Sequence, residues 1–151
     1  KLYVLTGRPA AKPVGLLAAS REQAETIGEI TGAARDLADR HWPGALTLVV
    51  TPRVILSDWV GDAQRRTVGV RVPDHPVAIE LLEHSGPLAV TSANKSGEHE
   101  VTDHIAARAV FGDDVAVYVE GRCPGGVAST VVDATGPEVV VLRKGTIEIG
   151  A

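Results

Sequence analysis

Along the chain, short apolar runs alternate with segments whose apolar positions recur at helical spacing. Residues 2–5 and 14–19 are brief apolar runs that predict strands. Ser20, with Gln23 three residues on, forms a capping box that predicts a helix to about residue 30. Over 33–41, Ala34, Leu37 and Ala38, with Trp42 just beyond, fall on one helical face, and Pro43-Gly44 ends the pattern. Strands are predicted at 46–51 and 67–72. Asp74-His75-Pro76 opens a helix to about residue 83, with proline at a permitted first-turn position. A strand at 88–90, a helix capped by Thr102 or Asp103 and running to about 110, and strands at 115–119, 129–133 and 139–143 complete the pattern.

Helices alternate with strands early and strands follow strands late. The expected fold is α/β, or mixed α+β: a twisted open sheet of parallel and antiparallel strands with flanking helices. No internal repeat or low-complexity linker interrupts it. At 151 residues, 44% of them hydrophobic, the chain predicts one domain spanning residues 1–151.

Charge narrows the choice of partner. Fifteen basic against nineteen acidic side chains give a net charge of -4, so nothing global attracts nucleic acid or an anionic membrane, and any anion site must be a local basic pocket. The apolar runs are too short to span a bilayer and the opening does not resemble a signal peptide, which predicts a cytoplasmic protein with no membrane partner. The single Cys123 makes no internal disulfide, and the scattered histidines and carboxylates predict no metal site and no acid–base pair. The chain begins at Lys1 and contains no methionine, so its amino terminus is expected to be truncated.

Candidate chemistry gathers at strand ends. Thr91-Ser92-Ala93-Asn94-Lys95-Ser96-Gly97 follows the 87–90 run directly, at the carboxyl end of a strand, where open α/β sheets hold ligands. A turn cluster bonding its own backbone would read the same way. Arg8 and Lys12 flank a proline-containing turn, a guanidinium and an ammonium suited to carboxylate or phosphate oxygens, or two solvated charges. Arg71 sits mid-strand on the face opposite Val70 and Val72, where it needs solvent or an anion. The Gly121–Gly126 run leading to Ser129-Thr130 lets backbone N–H groups approach a phosphate, although it is neither a Walker nor a dinucleotide sequence. Trp42 reads as a packing anchor and Cys123 as an inert thiol.

Taken in order, Gly7-Arg8-Pro9-Ala10-Ala11-Lys12-Pro13, Trp42-Pro43-Gly44-Ala45-Leu46-Thr47-Leu48, Val68-Gly69-Val70-Arg71-Val72-Pro73, Ser92-Ala93-Asn94, Ala128-Ser129-Thr130-Val131-Val132-Asp133 and Leu142-Arg143-Lys144-Gly145 resemble the YrdC/YciO-like family. Its best known members are threonylcarbamoyl-adenylate synthases. The resemblance runs from about Tyr3 to Gly145. It implies a YrdC-like fold and a nucleotidyltransferase that converts L-threonine, bicarbonate and ATP into threonylcarbamoyl-AMP and pyrophosphate. Partner proteins would carry the product to tRNA N6-threonylcarbamoyladenosine. By the same resemblance Arg8 and Lys12 serve catalysis, Arg71, Ser92, Asn94, Ser129 and Arg143 bind the nucleotide, and Mg2+ accompanies the triphosphate.

Two departures accompany the resemblance. The family carries an upstream strand and helix with a Thr-x-Tyr-type motif that has no counterpart here. Its lysine two residues before the arginine falls on Thr6, whose hydroxyl supplies no charge, a loss of roughly 1–3 kcal/mol of charge-assisted bonding unless Lys1 or Lys12 compensates. Two alternatives follow: a double-stranded RNA or tRNA binding module, against which the acidic balance and sparse aromatics argue, or a paralogue acting on another carbamate or carboxylate.

Overall fold

The computed structural model describes residues 1–9, 12–123 and 125–150. In chain order the elements are α1 (Leu2–Thr6), β1 (Gly15–Leu17), α2 (Arg21–Ile27), α3 (Ala33–His41), β2 (Leu46–Val50), β3 (Val68–Arg71), α4 (Pro76–Ser85), β4 (Leu88–Val90), α5 (His104–Phe111), a 3-10 turn (Gly112–Asp114), β5 (Thr130–Asp133) and β6 (Val140–Arg143). They fall into two compact units. One takes residues 1–12 and 91–126; the other takes 13–90 and 127–151 and holds all six strands.

The strands form one open sheet in the order β4-β1-β3-β2-β5-β6. The β1–β3 and β2–β5 pairs are parallel, whereas β1–β4, β2–β3 and β5–β6 are antiparallel, which is the mixed sheet expected. Strict alternation decides its faces. Leu46, Leu48 and Val50 of β2, Val68 and Val70 of β3 and Val132 of β5 are buried against Ala24 and Ile27 of α2 and Ala34, Leu37 and Ala38 of α3. Each such Leu or Ile contributes about 1.5–3 kcal/mol by leaving water. Thr47, Val49, Gly69, Arg71, Val131 and Asp133 consequently lie on the opposite face.

The capping box at α2 forms with one change. The Gln23 N–H donates to Ser20 Oγ at 3.2 Å, and Gln23 Oε1 accepts from the Ala19 N–H at 2.8 Å rather than from the cap residue itself. In the same first turn the Glu22 carboxyl is held below its ordinary value, first by a backbone hydrogen bond and then by the Ser20 hydroxyl. The helix stops at Ile27, short of the expected residue 30, because Gly28 takes an extended conformation and bridges to Pro52. Asp103, not Thr102, caps α5, its Oδ1 accepting from the Ala106 N–H at 2.8 Å.

Two expected strands are absent. Residues 2–5 lie in helix α1, which presents Val4 to solvent and ends where Gly7 adopts the left-handed conformation (φ 62°, ψ 19°). A four-residue apolar run carries too little periodicity to separate the two states. Residues 115–119 form no strand: Val117 and Val119 are exposed, and Tyr118 instead donates to the Gly112 carbonyl and lies under the Arg108 guanidinium. Among the described residues no helix is long and apolar enough to cross a membrane.

Candidate active site

On the open face of the sheet, strand register gathers polar groups at one end. Thr47 of β2 pairs with Val131 of β5, and its Oγ1 lies 2.9 Å from Ser129 Oγ, one residue before β5 begins. Antiparallel β6 then brings Arg143 opposite Val131. Its guanidinium donates through Nε and Nη2 to the Ser129 carbonyl at 3.1 and 2.9 Å, and Nη2 also reaches Ser129 Oγ at 3.1 Å. The structure thus brings together two residues named from the sequence, Ser129 and Arg143, and adds on the Ser129 hydroxyl a third, Thr47, that was not singled out. A lone hydroxyl in the apolar run Leu46-Thr47-Leu48-Val49-Val50 was the available signal.

Arg71 occupies the same face at the end of β3, two residues beyond Gly69, whose position contacts Thr47. Its Nε donates to the Gly44 carbonyl at 2.7 Å. The Gly44 N–H donates to the Val72 carbonyl, and the Ala45 carbonyl accepts from the Thr130 N–H, so the turn after α3 is tied to the ends of both β3 and β5. That turn contains a cis Trp42–Pro43 peptide, and the Trp42 indole donates to the Leu46 carbonyl at 2.8 Å, an anchoring role.

Behind Ser129 lies a second polar anchor. Thr130 is buried; its Oγ1 donates to the Ile147 carbonyl at 2.7 Å and accepts from the Gly145 and Ile147 N–H groups at 3.0 and 3.1 Å. Gly145 approaches so closely that a Cβ there would collide with the backbone of residues 128–130. The Lys-Gly pair after Arg143 therefore fixes the strand carrying the arginine. Toward the other end of the face, a cavity of about 290 Å³ is lined by Thr47, Val49, Gly69, Asp133 and Leu142.

The remaining candidates belong to the other unit. Arg8 donates through Nη1 to Thr91 Oγ1 at 3.2 Å and through Nε to the Lys12 carbonyl at 3.4 Å. Lys12 is exposed, and Ala10 and Ala11 of the motif lie outside the described residues. The Ser96 N–H donates to the Thr6 carbonyl at 2.7 Å, fastening the Ser-Ala-Asn loop to the end of α1. Thr6 is itself buried, its hydroxyl donating back to the Leu2 carbonyl at 2.8 Å. It is thus committed within its helix.

Within that loop Ser92 is exposed, its carbonyl accepting from the Asn94 N–H. Asn94 Nδ2 donates to the Lys95 and Glu98 carbonyls at 3.0 and 2.9 Å. Of the glycine-rich run, Pro124 lies outside the described residues, and the Cys123 N–H donates to the Thr102 carbonyl.

A Mycobacterium tuberculosis relative is 45% identical over 143 residues, covering 93% of this chain and 65% of its own length. A Pyrococcus abyssi protein named threonylcarbamoyl-AMP synthase is 39% identical over 157 residues, covering 99% of this chain and 44% of its own. The crystal structure of P. abyssi Sua5 complexed with L-threonine superimposes with a TM-score of 0.86 at 37% identity, over 95% of this chain and 43% of that one. The chain therefore spans less than two thirds of these relatives. The Sua5/YciO/YrdC family model, described as telomere recombination, matches residues 1–145, and the chain belongs to that family.

Proposed function

We propose that the protein is a threonylcarbamoyl-AMP synthase. The observation that carries this reading is the superposition of nearly the whole chain on Sua5 complexed with L-threonine, alongside relatives that bear the synthase name. Threonine and bicarbonate combine to a carbamate with loss of water. The carbamate carboxylate attacks the ATP α-phosphate, and pyrophosphate leaves. No protein nucleophile is required; the residues hold two anions together and offset their charge.

Arg143 and Ser129 suit the nucleotide. With Nε and Nη2 bonded to Ser129, the guanidinium is held in one orientation, and its Nη1 donors have no protein partner among the described residues. Arg71 adds a second cation on the same face. Arg8 and Lys12 would neutralise carboxylate and phosphate oxygens, with Ser92 as a further donor. Among the described residues no three His, Cys, Asp or Glu side chains converge, so Mg2+ would be carried by the phosphates. Transfer of the product to tRNA would fall to partner proteins in the cytoplasm.

The test is pyrophosphate release by the full chain with ATP and Mg2+. Release that requires both threonine and bicarbonate, and that falls about tenfold or more in Arg143→Ala and Arg8→Ala, is expected. Release indifferent to threonine, or none despite saturable ATP binding, overturns the reading in favour of another carboxylate substrate.

A further inference from the structure

We propose that Asn94 recognises the amino nitrogen of the amino-acid substrate, accepting an N–H hydrogen bond at Oδ1, rather than contacting the nucleotide. The inference rests on the synthase reading above. Asn94 Nδ2 donates to two backbone carbonyls, those of Lys95 and Glu98, and this fixes the orientation of the amide: exchanging the two atoms would set an oxygen against two carbonyl oxygens. Oδ1 is consequently held as an acceptor. It is buried and has no hydrogen-bond partner among the described residues, the only such side-chain atom among them.

A buried acceptor calls for a donor. The triphosphate offers only acceptors and would be repelled. An amino-acid ammonium, and the carbamate N–H that replaces it, are donors with no acceptor capacity, so they are the groups that need such an oxygen. Arg8, Lys12 and Lys95 are donors, and Thr91 Oγ1 already accepts from Arg8. The Nδ2 bonds hold the 94–98 turn, and Oδ1 reads the substrate.

The experiment measures Michaelis constants for threonine and ATP in the full chain carrying Asn94→Ala or Asn94→Asp. Asn94→Ala should raise the threonine KM about tenfold while leaving the ATP KM within about twofold. Asn94→Asp keeps an oxygen acceptor but loses the Nδ2 donors, so it should recover part of the threonine affinity; a purely structural role for the turn predicts that Asp performs no better than Ala. L-2-aminobutyrate, which lacks the hydroxyl, should show the same penalty as threonine. A penalty confined to threonine would assign the contact to the hydroxyl, and one confined to ATP would assign it to ribose or adenine; either overturns the proposal, as does equality of the two variants. Threonine-independent release by the unaltered chain overturns the synthase reading and this inference together, whereas normal threonine dependence without these shifts removes the inference alone.

Discussion

Thr130→Val tests whether the carboxyl-terminal turn is held by a single hydroxyl. The substitution keeps β-branching and nearly the same volume, so strand preference and packing are conserved while the hydroxyl disappears. Thr130 is 1% exposed and makes three hydrogen bonds, to the Ile147 carbonyl and from the Gly145 and Ile147 N–H groups. At about 0.5–1.5 kcal/mol net per bond the loss is roughly 1.5–4.5 kcal/mol, and the added methyl offsets about 0.8 kcal/mol. A net destabilisation of about 2–3 kcal/mol is expected. In a chain of this size that lowers the Tm by roughly 5–10 °C. Urea denaturation should show the midpoint falling with the m-value unchanged. Thr47→Val is the internal comparison: its one side-chain bond, to Ser129, lies at a half-buried position where water can substitute, so it should cost no more than about 1 kcal/mol. Equal losses for the two variants, or a Thr130→Val midpoint indistinguishable from the unaltered protein, would refute the reasoning.

Two further predictions concern backbone geometry. Gly145→Ala forces a Cβ into the 128–130 backbone and should cost about 1–3 kcal/mol in denaturation, with ATP affinity falling as Arg143 and Ser129 separate. Asp103→Ala removes the acceptor for the Ala106 N–H and should destabilise by about 1 kcal/mol, read as a lower melting midpoint.

What was legible in the chain was local. Ser20 with Gln23 announced α2, and the Pro43-Gly44 stop and the alternation around Arg71 were read correctly from neighbours in sequence. Leu2-Tyr3-Val4-Leu5 was misread because four residues span about one helical turn or two pleats, and neither period emerges. Residues 115–119 have strand-like composition but find no ladder partner, and partnership is a tertiary property. The same limit hid Thr47 and Thr91. Each is a lone hydroxyl whose meaning lies in a partner more than 80 positions away, Ser129 and Arg8 respectively.

These separations carry a kinetic consequence. Parallel β2–β5 pairing must close a long loop before Thr47 can meet Ser129, 82 positions apart, whereas the contact from Arg71 to Gly44 closes over 27. Loop-closure entropy grows with length and non-local sheets fold slowly, so the Arg71 half of the open face should organise before β5, with Ser129 and Arg143 attached, docks onto β2. Substitutions that weaken β5 docking would then slow folding and lower the yield of competent protein during synthesis, with equilibrium stability falling alongside.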